Sequence, residues 1–222
     1  MHATRKLLAL ALTAALQPAM AGVVSLDFED NTTTAQIGNR YANSLGVTFT
    51  GGAWGFTSGS SADNCTGFGD FVRAGSCGGL ELALDATATP GDEPQSFILD
   101  LAGGFITEFS FVYSALPLSA VQIQLFDGTN GTGNVLQTLT DLTTAQCQLS
   151  GVRFCDWTSA STKFDGVARS LKVTGLDQSL MLDDLKFITP TTGGGSLPEP
   201  ASIALALGAL GAAAWTRRRA AR

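Results

Sequence analysis

Between residues 22 and 190 the hydrophobic positions alternate with polar ones in short runs, and clusters of Gly, Asn, Asp and Thr separate the runs. In Phe105-Ile106-Thr107-Glu108-Phe109-Ser110-Phe111-Val112-Tyr113 the aromatics at 105, 109, 111 and 113 fall on one face, and Glu108 and Ser110 fall on the other. Val121, Ile123 and Leu125 alternate with Gln122 and Gln124 in the same way. A period of two with one apolar face predicts half-buried strands. Nine are expected: Val23–Phe28, Val47–Thr50, Leu80–Leu84, Ser96–Leu101, Phe105–Tyr113, Val121–Phe126, Val135–Thr140, Val167–Val173 and Leu180–Phe187. No stretch carries the period of a long amphipathic helix. The expected fold is all-β, an antiparallel β-sandwich built from one domain over 22–190.

Two segments outside this pattern predict export. Arg5 and Lys6 precede an apolar run from Leu7 to Leu16, and Gln17-Pro18-Ala19-Met20-Ala21 supplies a helix breaker and a small-x-small cleavage pattern. Residues 1–21 therefore read as a signal peptide, removed by signal peptidase before Gly22. Thr191-Thr192-Gly193-Gly194-Gly195-Ser196 has nothing apolar to bury and reads as a flexible linker over 191–196. Beyond it, 197–222 has three parts: Leu197-Pro198-Glu199-Pro200, an uncharged run from Ala201 to Trp215, and Arg217, Arg218, Arg219 with Arg222. The run is short for a bilayer core of about 30 Å, which takes about 20 helical residues, so it spans only with the terminal arginines reaching the headgroups. Those arginines are expected on the cytoplasmic side.

This tail resembles the PEP-CTERM sorting signal of Gram-negative bacteria. The resemblance implies an exosortase acting at Pro198-Glu199-Pro200, with a single hydrophobic helix and the basic cluster retaining the precursor in the inner membrane. It further implies a final place at the cell surface or in the extracellular matrix, in company with exopolysaccharide.

Charge and residue usage narrow the chemistry. Without Arg5, Lys6 and the four terminal arginines, the 13 basic residues fall to seven against 19 acidic ones, a net charge of −12. Nucleic acid is excluded as a natural partner, because phosphate binding needs clustered cations. The one histidine, His2, lies in the signal peptide, so triads, histidine bases and histidine-based zinc sites are excluded from the exported chain. Carboxylates remain for acid–base work. Four cysteines allow three pairings; Cys65 with Cys77 and Cys147 with Cys155 are expected, because each pair brackets a polar or Gly-rich segment with little else to hold it.

Leu26-Asp27-Phe28-Glu29-Asp30 near the start of the domain and Met181-Leu182-Asp183-Asp184-Leu185-Lys186-Phe187 near its end resemble jelly-roll carbohydrate-binding modules, whose first and last strands share a structural calcium. The resemblance implies Glu29 and Asp183 as carboxylate ligands, with Asp184 beside them. On a regular strand adjacent aspartates point to opposite faces, so at most one of the two is expected to face the ion. The alternative is a pair of solvated acidic strand ends that oppose edge aggregation. Asp127-Gly128-Thr129-Asn130-Gly131-Thr132-Gly133-Asn134 reads as a hairpin connection rather than a calcium loop, since no acidic residue follows Asp127 within it.

Sugar recognition needs aromatic platforms with polar neighbours. Trp54 and Trp157, in loop-like surroundings, are the expected platforms, with Phe56 and Tyr113 as further candidates. Burial in the core is the alternative for either tryptophan. The functional expectation is a non-catalytic surface or matrix protein that binds exopolysaccharide; the alternatives are a carboxylate-dependent glycoside hydrolase and a purely structural adhesin.

Overall fold

A computed structural model describes residues 21–58, 71–83, 94–117, 120–149 and 152–190, all within one compact unit, Ala21–Thr192. The expected signal peptide, linker, sorting tail and Cys65 lie outside the described residues. Among the described residues no helix is long and apolar enough to cross a membrane.

Ten strands and one short helix follow in order: β1 (Gly22–Leu26), β2 (Ala35–Gln36), α1 (Ala42–Leu45), β3 (Val47–Gly51), β4 (Ala53–Thr57), β5 (Gly78–Leu82), β6 (Gln95–Ala115), β7 (Gln122–Phe126), β8 (Val135–Leu139), β9 (Thr158–Gly175) and β10 (Leu180–Thr189). Every named strand pair is antiparallel, and the path runs β2-β4-β5-β10-β6-β9-β7-β8, with β1 added on β10 and β3 on β6. Two strands are long enough to serve both layers. The first part of β6 pairs with β3 and with Ser170–Gly175 of β9; its second part pairs with β10 and with Thr158–Ala168 of β9.

The two expected strands 96–101 and 105–113 are thus one strand of 21 residues. Ala102-Gly103-Gly104 separates the two expected runs, yet Gly104 has φ +68°, a conformation glycine adopts without the Cβ penalty, and the chain bends there and keeps pairing. The register against β9 breaks between Asp100 and Phe105, where the bend falls. The expected strand 167–173 likewise extends back to Thr158. Sequence periodicity missed β2, β4 and α1.

Both layers face one core. Leu80, Leu82, Phe109, Phe111, Leu182, Leu185 and Phe187 from one layer join Val47, Phe49, Phe97, Leu99, Ile123, Leu125, Leu171 and Val173 from the other in a single buried cluster. The expected aromatic face of 105, 109, 111 and 113 lies in it. Phe105 meets Phe187 edge-on with ring centroids 5.0 Å apart, and Phe109 stacks on Phe187 at 5.1 Å. The Asp127–Asn134 segment is the connection of the β7–β8 hairpin, as expected: Asp127 accepts hydrogen bonds from the Asn134 backbone amide at 2.7 Å and side-chain amide at 2.8 Å. Those two donors hold its carboxyl below the usual range.

Candidate functional site

The first and last strands meet where the sequence placed them. β1 ends at Leu26, and Phe28 turns through φ +56° with its side chain fully buried, which aims its carbonyl at β5. Gly78 receives that carbonyl: a Cβ there would stand 1.8 Å from the Phe28 oxygen, so only glycine fits. Glu29, next along the chain, is thereby delivered to the start of β5. Its carboxylate accepts the Ser76 hydroxyl at 2.6 Å and the Cys77 amide at 2.9 Å.

Asp183 lies across the same junction, fully buried, and accepts the Ser76 hydroxyl at 2.9 Å and the Asp184 amide at 2.7 Å. The Ser76 hydroxyl thus lies between Glu29 and Asp183, and its one hydrogen is shared between them rather than donated to both at once. The fourth member is Arg73, whose Nη1 pairs with Asp183 and whose Nη2 pairs with Asp184 at 2.6 Å. Both aspartates reach the same guanidinium, contrary to the expectation that adjacent residues must diverge. The reason is a bulge: Asp184 has φ +49°, and the β10–β6 register shifts between Asp183 and Lys186. Burial pushes the Asp183 carboxyl up to about 6, against the opposing pull of the Arg73 charge and its hydrogen-bond donors. Burial also works against the Arg73 charge, but the bonds to Asp184 and Asp183 outweigh it and hold the guanidinium above its ordinary value.

The expected ligands Glu29, Asp183 and Asp184 are therefore brought together. As placed they do not fit a calcium shell, which takes six to eight oxygens. Their facing oxygens are met by a hydroxyl, backbone amides and a guanidinium, all of them donors. Among the described residues no group of three or more His, Cys, Asp or Glu side chains is arranged to hold a metal ion.

The outer surface of this layer is divided. Over β4, β5 and the start of β10, two loop segments form a lid. Phe71 and Phe154 are fully buried with Met181, and Phe56, Leu116 and Trp157 pack against them. Phe71 and Phe154 form a parallel bridge, and the Val72 amide donates to the Phe154 carbonyl at 2.9 Å. Each segment carries a disulfide: Cys147–Cys155 is formed as expected, and Cys77 is disulfide-bonded, its expected partner Cys65 lying outside the described residues. Arg153 completes the lid, reaching Gln178 at 2.7 Å and the buried Glu81 at 3.5 Å.

Beyond the lid no described segment covers the same surface. Ser110, Val112, Ser159, Ser161, Asp184 and Lys186 line a shallow depression of about 230 Å³ on β6, β9 and β10. Trp157 precedes β9, two residues before the lining residue Ser159, and belongs to the lid cluster. The Trp157 indole N–H donates to the Val72 carbonyl at 2.9 Å, its ring meets Phe71 edge-on at 5.8 Å, and the Arg73 guanidinium lies 5.7 Å from it. The ring is half-buried, between the core and the exposed platform that the sequence left open. Trp54 is also half-buried, but it sits inside β4, opposite Gln36 and Glu81, rather than in a loop. Tyr113 is buried in the core, and Phe56 packs under the lid.

Sequence reasoning missed Arg73, Ser76, Glu81 and Arg153. A signal for the two arginines was present: only seven cations serve 19 carboxylates between residues 22 and 200, which favours pairing of each.

No protein-family model and no curated protein matches the chain. Among solved structures, the K2 cleaved adhesin domain of Lys-gingipain is similar at 14% identity over 76% of this chain and 100% of its own, with a TM-score of 0.47. The K1 cleaved adhesin domain of Lys-gingipain from Porphyromonas gingivalis shares 13% identity over 76% of this chain and 98% of its own, with a TM-score of 0.46. A carbohydrate-binding module from Cellvibrio mixtus lichenase 5A, solved with cellotriose, shares 8% identity over 75% and 96%, with a TM-score of 0.36. Likeness at this distance carries no argument about ligand, so the functional reading rests on this chain's own residues.

Proposed function

We propose that this is a non-catalytic cell-surface or matrix protein whose open outer surface, on β6, β9 and β10, binds a polysaccharide strand. The observation that supports it is the division of one layer's outer surface. Half is sealed by disulfide-bearing loops, while the other half is left as a polar depression lined by hydroxyls, one carboxylate and one ammonium. Serine hydroxyls with one ammonium and one already paired carboxylate suit the hydroxyl edges of a neutral or weakly charged sugar chain, and Val112 and Ala160 add apolar surface among them. Glycoside hydrolysis needs two carboxylates flanking the bond, and Asp184 is the one carboxylate among the lining residues, already paired with Arg73.

Export by signal peptidase and sorting by an exosortase through Pro198-Glu199-Pro200 and Arg217–Arg219 belong to the same proposal. They are supported by the three-part tail and by the disulfides, which suit an oxidising compartment. Affinity electrophoresis through gels holding neutral glucans or the native exopolysaccharide tests the binding: wild type is retarded, and Ser110→Arg/Ser161→Arg is not. If no polysaccharide retards wild type, the structural adhesin reading replaces it. Intact mass of protein from the native envelope tests the sorting: material beginning at Gly22 and lacking the apolar tail supports it, and a chain ending at Arg222 overturns it.

A further inference from the structure

Three carboxylates from the two ends of the domain converge at the junction of β1 and β10: Glu29 from one end, and the neighbours Asp183 and Asp184 from the other. Asp183 is fully buried, and a buried carboxylate left without a counter-charge is strongly destabilising. The positive charge that meets it comes from the chain itself. Arg73-Ala74-Gly75-Ser76 closes as a tight turn, with the Ser76 amide donating to the Arg73 carbonyl at 3.2 Å and Gly75 at φ +74°. One turn therefore presents the guanidinium of its first residue to Asp183, and the hydroxyl of its last residue, whose one hydrogen is shared with Glu29. The guanidinium is forked between two aspartates, a geometry that lysine cannot reproduce. The turn is itself fastened, through the Ser58 amide to the Cys77 carbonyl at 2.8 Å and through the disulfide at Cys77.

We infer that the Arg73 guanidinium is the resident cation of this junction, so that the domain joins its first and last strands without a divalent ion. Glu29 then serves as an anchor for the turn rather than as a metal ligand, since its carboxylate faces the Ser76 hydroxyl and the Cys77 amide. A chain closed in this way keeps its fold among acidic polymers that sequester divalent cations, where an ion-dependent junction would lose its ion.

Thermal unfolding in millimolar calcium and in chelator, on wild type, Arg73→Ala and Arg73→Lys, tests the inference. Wild type should melt at one temperature in both conditions. Arg73→Ala should melt lower in chelator, and calcium should restore several degrees, because removing the guanidinium leaves three carboxylates around a vacated position. Arg73→Lys, which keeps the charge and loses the fork, should melt between the two and respond less to calcium than Arg73→Ala. Calcium stabilisation of wild type would overturn the inference, as would Arg73→Ala protein that folds but ignores calcium. Should Arg73→Ala fail to fold, terbium luminescence sensitised by Trp157 decides on wild type alone: silence supports the resident guanidinium, and saturable emission overturns it.

Discussion

The lid over β4 and β5 and the open surface over β6 and β9 belong to the outer side of one layer, yet they are built by opposite means. The lid buries aromatic rings on Met181, is clipped by disulfides and holds its charges in pairs. The open surface presents serines and a lysine to solvent, and no described segment lies over it. The difference teaches that the lid belongs to the fold's stability and the open surface does not, so substitutions in the two should have different consequences.

The sharpest way to break that contrast is to hollow the lid. Phe154 is fully buried against Phe71 and Met181, and Phe154→Ala should cost about 3–5 kcal/mol, read as a lowered urea midpoint. A change within about 0.5 kcal/mol would mean that the lid is an ornament on a fold that stands without it.

The Asp183–Arg73 contact, between the two regions, predicts a pH dependence. Its folded pKa of about 6 exceeds the ordinary value of 3.8, so between those values the folded chain holds a proton that the unfolded chain has released. The penalty for ionising Asp183 is thus absent below about pH 4, grows as pH rises, and is complete above about pH 6; a shift of about two units sets its ceiling near ~3 kcal/mol. Urea unfolding of wild type and Asp183→Asn should show that the extra decline across this window belongs to wild type alone. Parallel curves would remove Asp183 from the explanation.

Cutting the clip comes next in size. Cys147→Ser/Cys155→Ser opens a loop with a sequence separation of eight, for which chain entropy gives about 2.5 kcal/mol. Sugar binding on the open surface should persist in the folded variant, and its loss would show that the lid shapes the depression.

Which parts of this contrast were legible in the sequence follows from the range of each interaction. The core strands announce themselves locally, because alternation such as Val121-Gln122-Ile123-Gln124-Leu125 needs no partner to be read. β4 was hidden because Gly51, Gly52 and Gly55 surround Trp54 and look like loop, whereas Gly55 in fact makes room for the Asn31 side chain, 2.7 Å from where its Cβ would be. The convergence of Glu29 with Asp183 came from a family resemblance. The bulge that turns Asp184 toward Asp183's partner breaks the two-residue period on which sequence reading depends. Arg73 lies 110 residues from Asp183, and no local pattern reports a contact at that range.

The smallest effect carries the other half of the comparison. Ser161 sits on β9 opposite Ser110, on the exposed side of the layer, and lines the depression without a role in the core. Ser161→Ala removes a solvated hydroxyl from a strand whose pairing is made by backbone groups, so stability should stay within about 0.5 kcal/mol of wild type. Retardation by a bound polysaccharide should nevertheless weaken, because a hydroxyl that meets a sugar hydroxyl contributes about 0.5–1.5 kcal/mol. The two readouts separate the regions within one variant. Loss of stability with unchanged retardation would mean that the open surface is part of the scaffold and that the ligand, if it binds at all, binds elsewhere.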